Sequence, residues 1–135
     1  MDKIKIGDTF SHNARFTQAN VDIFAQITGD NNPIHINKEY AAKTPFGTPI
    51  VHGFLAGSVF SKVFGTMFPG EGTIYMFQDM NFLAPVFVEN DYVAKFVVID
   101  VNEEKHRAVI KCLLVDREDK IVISGQAKLM NKERF

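Results

Sequence analysis

One segment, residues 53–67, constrains the fold more than any other part of the chain. Apolar side chains lie on most faces of the helix that this segment would form, and small residues separate them. In chain order these residues are Phe54, Leu55, Ala56, Gly57, Ser58, Val59, Phe60, Ser61, Val63, Phe64 and Met67. A helix that is apolar all round is typical of a protein interior. We therefore expect the rest of the chain to wrap around one long buried helix.

The second half of the chain has the features of β-strands. Segments there are rich in β-branched residues, and residues 121–129 alternate between two faces. Short turn signals at 102–105 and 117–120 favour an antiparallel meander. The strands we predict are 10–16, at an edge, then 74–82, 93–99, 107–115 and 121–129. The sequence thus predicts an antiparallel sheet of about five strands around the helix, an α+β fold.

Before the central helix the chain predicts loops and two shorter helices. Thr17 is placed to cap a helix that Gly29 ends, and a second short helix covers 38–43. A loop with two prolines and a glycine follows at 44–49. With 135 residues and no linker or repeat, we expect residues 1–135 to form a single domain.

Charge and cysteine content exclude several classes of protein. The 15 basic and 16 acidic residues are spread without blocks, which argues against nucleic-acid binding and a polybasic membrane patch. The single cysteine, Cys112, cannot form an intrachain disulfide and lies where a buried structural thiol is expected. We find no export signal and no membrane-spanning segment, so we expect a cytoplasmic protein.

The strongest candidate for chemistry is the polar loop after the first helix. Asp30 and His35 lie five residues apart on this loop, so both side chains can face one cavity and share proton transfer. Asn32 offers an amide that can hold the loop or the carboxylate. The alternative is an Asx turn that ends the helix, with a satisfied histidine nearby.

The second candidate is the start of the long helix. A helix N-terminus presents unpaired N–H groups, and Gly53 lets a ligand approach the backbone closely, which suits a developing oxyanion. Alternatively, Gly53 eases close packing and His52 caps the helix. A metal site of Asp30, His35 and His52 is conceivable, but the spacing is not of the zinc-ligand kind. No P-loop or dinucleotide glycine pattern is present, so we expect neither a metal nor a nucleotide cofactor.

Three motifs together resemble the MaoC-like (R)-specific enoyl-CoA hydratases, in the same order and at the same intervals. They are Gly29-Asp30-x-Asn32-Pro33-x-His35, Pro49-Ile50-Val51-His52-Gly53-Phe54 and Phe82-x-x-Pro85-Val86. The resemblance runs from about residue 16 to the C-terminus. It implies a hot-dog fold, in which an antiparallel sheet wraps a long central helix, and a homodimer with acyl tunnels near the interface.

The resemblance also assigns roles to individual residues. It implies that Asp30 and His35 are the catalytic pair and that the Gly53 amide binds the thioester oxygen. Asn32 matches the motif asparagine, which we interpret as support for the loop, and Ser61 matches a serine found near the catalytic aspartate in close relatives.

This chain departs from the family pattern in two places. Asn90-Asp91 stands where Gly-Asp is common, although asparagine tolerates the left-handed conformation. Leu83 replaces a basic residue common after the Phe82 position, which bears on recognition of the thioester carrier.

The resemblance implies reversible hydration of a trans-2-enoyl thioester to the (R)-3-hydroxyacyl product, in fatty-acid or polyhydroxyalkanoate-type metabolism. The carrier is coenzyme A or acyl carrier protein. Two alternatives remain open at this stage. A thioesterase of the same fold would direct the activated water at the carbonyl carbon, and a non-catalytic acyl-binding protein would have no need of both Asp30 and His35.

Overall fold

The computed structural model describes residues 2–135, which form ten helices and strands. In chain order they are β1 (Thr9–Arg15), α1 (Gln18–Thr28), α2 (Pro33–Ile36), α3 (Lys38–Ala42), α4 (Gly53–Thr66), β2 (Ile74–Gln78), β3 (Asn81–Phe82), β4 (Asp91–Asn102), β5 (Arg107–Val115) and β6 (Ile121–Met130). Each predicted element is present within a few residues of its expected bounds, except that the strand expected at 74–82 is divided into β2 and β3.

The strands form one antiparallel sheet in the order β1-β4-β5-β6-β2, and β3 also pairs with β6. Strands β4, β5 and β6 pair in succession, which confirms the predicted meander. The sheet has six strands rather than about five, because the segment expected to be one strand, 74–82, is interrupted at Asp79. The Asp79 carboxylate accepts a hydrogen bond from the backbone N–H of Gln126 at 2.6 Å. The backbone carbonyl oxygen of Asp79 occupies the space where a side chain on Gly125 would lie.

Helix α4 packs one face against the sheet. Its buried side includes Val59, Phe60, Val63 and Phe64, which contribute to the hydrophobic core. The prediction that this helix is buried all round is wrong for a single chain, since Phe54 remains 70% exposed and the polar and small residues of the opposite face are exposed. The helix therefore retains an uncovered side that includes a large aromatic residue.

The ends of α1 confirm the expected capping. Thr17 accepts the N–H of Asn20 while the Asn20 side chain accepts the N–H of Thr17, which is a capping box. Gly29 adopts φ +79°, a left-handed conformation that glycine reaches without steric cost, and ends the helix. The helix thus stops immediately before Asp30.

Cys112 is fully buried on the inner face of β5, and burial raises the pKa of its thiol to about 12. The thiol is therefore unreactive, which confirms the expected structural role. Across residues 2–135, none of the helices combines the length and the apolar character that a bilayer crossing demands.

Candidate active site

The loop between α1 and α2 holds the Asp30 carboxylate through local hydrogen bonds. Asp30 N–H donates to the Thr28 hydroxyl at 3.2 Å, and Asp30 Oδ1 accepts the N–H of Asn32 at 3.3 Å. The Asn32 side chain in turn accepts the N–H of Ile34 and caps α2. Asn32 thus connects the carboxylate to the short helix that carries His35, as expected of a residue that supports the loop.

His35 lies on α2, a single helical turn that the sequence pattern did not predict. Its side chain is 9% exposed, and Nδ1–H donates to the carbonyl oxygen of Ile50 at 2.8 Å. This hydrogen bond leaves Nε2 of the neutral ring without a proton. The pKa of His35 is lowered from its ordinary value, chiefly by burial and further by His52. The hydrogen bond to Ile50 and the Asp30 carboxylate raise this pKa, but they do not outweigh the burial. The ring is therefore suited to accept a proton at neutral pH.

His52 is the N-cap residue of α4, but its side chain makes no capping hydrogen bond within residues 2–135. The ring instead stacks on His35 with centroids 3.9 Å apart and contacts Phe24 on another side at 4.7 Å. Its Nε2–H donates to the backbone carbonyl of Asp30 at 3.1 Å. The expectation that His52 caps the helix is therefore wrong, and the ring contacts both catalytic candidates.

The side chains of Asp30, His35 and His52 lie close together. One potential metal-ligating atom of each lies within 4.8 Å of the others. His35 Nδ1 and His52 Nε2 are already hydrogen-bonded to backbone carbonyls. The expectation that the site needs no metal stays a prediction.

Gly53 is the first residue of α4, so its N–H has no acceptor within the helix. A Cβ atom at this position would lie 2.8 Å from Cε1 of Phe82. Close packing is therefore one confirmed reason for glycine at this position. The role of its amide as an oxyanion donor stays a prediction, which the helix dipole favours.

Asp30, His35 and Gly53 line one cavity of about 530 Å³. Most of the remaining wall is apolar and comes from the loop before α4 and from the segment after β3. These wall residues are Phe46, Ile50, Val51, Phe54, Phe82, Leu83, Ala84, Pro85, Val86 and Ile123, with His52 beside them. A volume of this size and an apolar wall suit a small acyl group.

Ser61 does not lie at this cavity. It is exposed and lines a separate groove between α4 and β2. A single chain therefore brings together four of the five predicted site residues, namely Asp30, Asn32, His35 and Gly53. The support that Ser61 was expected to give to Asp30 stays a prediction.

The sequence interpretation did not foresee the contacts of His52. The motif Pro49-Ile50-Val51-His52-Gly53 is recognisable in the sequence, but the roles that the sequence offered for its histidine were helix capping or a metal site with Asp30 and His35. The stacking with His35 depends on how the loop before α4 folds back on α2, where Ile50 N–H donates to the Ile34 carbonyl at 3.2 Å. The spacing of residues within a motif does not indicate a contact between segments that are distant in the sequence.

The geometry defines a class of site. The imidazole of His35 and the carboxylate of Asp30 line one largely apolar cavity, and the N-terminus of α4, which has no side-chain cap, lies at the same cavity. Such a site can activate water and stabilise negative charge on a neighbouring oxygen. The fold and the site together define an α+β protein in which an imidazole and a carboxylate line one cavity beside the N-terminus of a long helix.

Comparison with known proteins gives the family. The MaoC like domain matches residues 3–118. The 3-hydroxybutyryl-CoA dehydratase of Methylorubrum extorquens is 38% identical over 132 residues, which cover 96% of this chain and 83% of that protein. The (R)-specific enoyl-CoA hydratase of Aeromonas caviae is 35% identical over 124 residues, 92% of each chain.

Comparison with a solved structure supports the same family. The (R)-hydratase from A. caviae involved in PHA biosynthesis superimposes with a TM-score of 0.91 at 34% identity, over 95% of this chain and 97% of that one. The chain therefore belongs to the MaoC-like family of hydratases and dehydratases. It has the hot-dog fold and is an enzyme of the hydro-lyase class.

Proposed function

We propose that the protein is an (R)-specific enoyl-CoA hydratase, which reversibly adds water to trans-2-enoyl-CoA to give (R)-3-hydroxyacyl-CoA. The observation that carries the proposal is the single cavity lined by Asp30, His35 and Gly53. The names of the relatives support the same reaction, since one is a hydratase and another is a dehydratase that acts on a coenzyme A thioester.

In the proposed complex the acyl chain lies along the apolar wall with its thioester oxygen near the Gly53 N–H. A water molecule lies between Asp30 and His35, on the side of C3. His35 Nε2 is the acceptor for the water proton, because Nδ1–H is held by the Ile50 carbonyl. The pair would thus direct the oxygen of water to one face of the double bond.

Attack of water on C3 moves negative charge to the thioester oxygen. The Gly53 N–H and the α4 dipole stabilise this enolate, and one such donor contributes on the order of 3 kcal/mol in known enzymes. The proton that the Asp30–His35 pair takes from water is balanced by the proton that the pair returns to C2. One C–O bond and one C–H bond form, the double bond is lost, and the protein ends the reaction in its starting protonation state. The reverse sequence is dehydration.

Two alternatives predict different products. A thioesterase would direct the same water at the carbonyl carbon and release a thiol. A non-catalytic acyl-binding protein would turn over no substrate, yet the cavity holds a histidine with a free Nε2 next to a carboxylate. Hydration accounts for the pair and for the helix N-terminus together, so we favour it.

We also propose that the protein acts as a homodimer. Strand β2 is an edge of the sheet, and its residues Ile74, Met76 and Phe77 are 57%, 44% and 44% exposed. An apolar edge strand favours pairing with a second strand. A second copy at this edge would also cover Phe54 and the groove that contains Ser61, which lies between α4 and β2.

The substrate carrier and the metabolic setting are further parts of the proposal. Coenzyme A is favoured over acyl carrier protein because the two relatives above are named for CoA thioesters. Fatty-acid or polyhydroxyalkanoate-type metabolism in the cytoplasm is the setting that we propose.

The experiment is a hydration assay with crotonyl-CoA on the wild type and two variants. D30N keeps an oxygen that can accept the Asn32 N–H, and H35N keeps a donor for the Ile50 carbonyl, so both preserve local structure. We expect each to lower kcat by about a hundredfold or more, as is typical for loss of a general acid–base group. Turnover near the wild-type rate in either folded variant would contradict the assignment of that residue.

A further inference from the structure

His52 is the buried polar residue at the site for which the proposed reaction has no role. Its side chain is 2% exposed, and it lies against Phe24, His35 and the backbone of Asp30. It therefore contacts both members of the acid–base pair without belonging to it.

Only one of the two ring nitrogens of His52 has a hydrogen-bond partner within residues 2–135. Nε2–H donates to the Asp30 carbonyl at 3.1 Å, whereas Nδ1 is buried and has no hydrogen-bond partner within residues 2–135. An unpartnered buried nitrogen costs free energy, and a phenylalanine in the same place would fill the space without that cost. The imidazole is thus explained by what its Nε2–H does rather than by its volume.

We propose that His52 is the positioning residue of the active site, which fixes Asp30 and His35 relative to each other through one hydrogen bond and one ring contact. This inference rests on the proposed hydratase function and assigns it a residue that acts through the catalytic pair. The hydrogen bond holds the main chain that carries the carboxylate. The stacked ring, with centroids 3.9 Å apart, holds the plane of His35 and keeps water from one of its faces.

The two contacts have separate consequences. Loss of the Nε2–H frees the Asp30 main chain, and a displacement of about 1 Å at a reacting group costs up to a hundredfold in rate. Loss of the ring opens a face of His35 to water and weakens the burial that lowers the pKa of His35. Within the described part of the chain, the titratable groups that face His35 are Asp30 on its own loop and His52 before α4. No other charge therefore complicates a comparison of the His35 pKa between the wild type and variants at position 52.

Two substitutions separate these contacts. H52F keeps a ring on His35 but has no donor for the Asp30 carbonyl. H52Q keeps a donor near the position of Nε2 but removes the ring. The control is H106N, since the His106 ring also donates to a main-chain oxygen, in this case from Nδ1 to Phe135 at 2.9 Å, but lies outside the cavity. Asparagine suits the φ of +55° at that position.

Four quantities are measured on each purified protein. They are kcat and KM for crotonyl-CoA hydration, the pH midpoint of the acidic limb of kcat/KM, and the titration midpoint of the His35 ring by NMR. The chain has four histidines, so the ring signals can be assigned by substitution. Circular dichroism and thermal melting confirm that each variant is folded.

We expect H52F to lower kcat by about tenfold to a hundredfold while KM changes little, because the loosened carboxylate affects the reaction more than substrate binding. For H52Q we expect the titration midpoint of His35 and the pH midpoint of the acidic limb of kcat/KM to rise together toward the ordinary histidine pKa of about 6.5. H106N should match the wild type in all four quantities. Wild-type kcat in H52F, or an unchanged His35 midpoint in H52Q, would overturn the corresponding half of the proposal.

The NMR measurements also separate this proposal from the function on which it rests. If the wild type hydrates no enoyl thioester, the proposed function fails, whereas the titration still tests whether His52 controls His35. A last measurement needs no variant. The ¹⁵N shifts of the wild-type His52 ring should show a proton on Nε2, and a proton on Nδ1 instead would overturn the anchoring of Asp30, whatever the stability of the variants.

Discussion

Substitution of Gly53 by alanine tests whether the absence of a side chain at the start of α4 keeps the Phe82 ring, and with it the wall of the proposed substrate site, in place. The new Cβ would lie 2.8 Å from Cε1, 3.0 Å from Cδ1 and 3.1 Å from Cζ of the Phe82 ring. Carbon atoms in contact are normally about 3.5–4.0 Å apart, so the ring must retreat by roughly 0.7–1.2 Å. Phe82 is half exposed and lines the cavity, so it is free to move, but it moves within the substrate site.

The effect on activity should therefore exceed the effect on stability. Crowding of this kind costs about 1 kcal/mol where the neighbour can move, and the gain from replacing glycine in a helix offsets roughly 0.5–1 kcal/mol of it. A wall displaced by about 1 Å beside the reacting atoms costs up to a hundredfold in kcat/KM. A hundredfold loss corresponds to about 2.7 kcal/mol of transition-state stabilisation.

The matched control is Gly65→Ala in the same helix. A Cβ there meets no atom within 4 Å, and the position is exposed. We expect G65A to keep wild-type kcat/KM and to be as stable as the wild type or slightly more stable. The assay follows loss of the enoyl absorbance of crotonyl-CoA, and thermal melting gives stability. If G53A stayed within threefold of G65A in kcat/KM, the proposed need for a glycine beside Phe82 in the substrate site would be refuted, whereas the N–H of residue 53, which alanine retains, would remain untested.

The remaining predictions concern pH and assembly. Burial lowers the pKa of His35 from its ordinary value of about 6.5, so the neutral ring predominates at pH 6.5, and the midpoint of the acidic fall in kcat/KM for hydration should lie below pH 6.5. A decline that begins above pH 7 in a pH-rate series would show that a different group limits the reaction. Light scattering at micromolar concentration should give twice 15.2 kDa, and a fully active monomer would remove the proposed pairing through β2.

The sequence predicted the elements that follow from local periodicity and capping. Thr17 and Gly29 bound the first helix as expected, because both positions act through their own backbone neighbours. The strand at 107–115 was predicted with its observed bounds, since alternation and flanking turns are local properties. The loop with Asp30 and His35 was recognisable for the same reason, as its polar residues interrupt an otherwise apolar pattern.

Features that depend on distant contacts were not predictable. The break at Asp79 requires the N–H of Gln126, which is 47 residues away in the sequence. The stacking of His52 on His35 requires the loop before α4 to return to α2. The exposed side of α4 was missed because apolar content alone does not show how much of a helix the sheet covers, and Phe54 accounts for much of that error.

The most direct test of the proposed function is the stereochemistry of hydration. Purified protein hydrates crotonyl-CoA in the presence of dehydrogenases specific for each 3-hydroxyacyl-CoA enantiomer. In the proposed complex Gly53, Asp30 and His35, which line one cavity, hold the oxyanion and the water on fixed sides, so one enantiomer should be preferred by at least about a hundredfold, or roughly 2.7 kcal/mol between the two transition states. The similarity to (R)-specific hydratases leads us to predict that this enantiomer is the (R) product. Signal from the (S)-specific enzyme alone, or thiol release without either signal, would contradict the proposal.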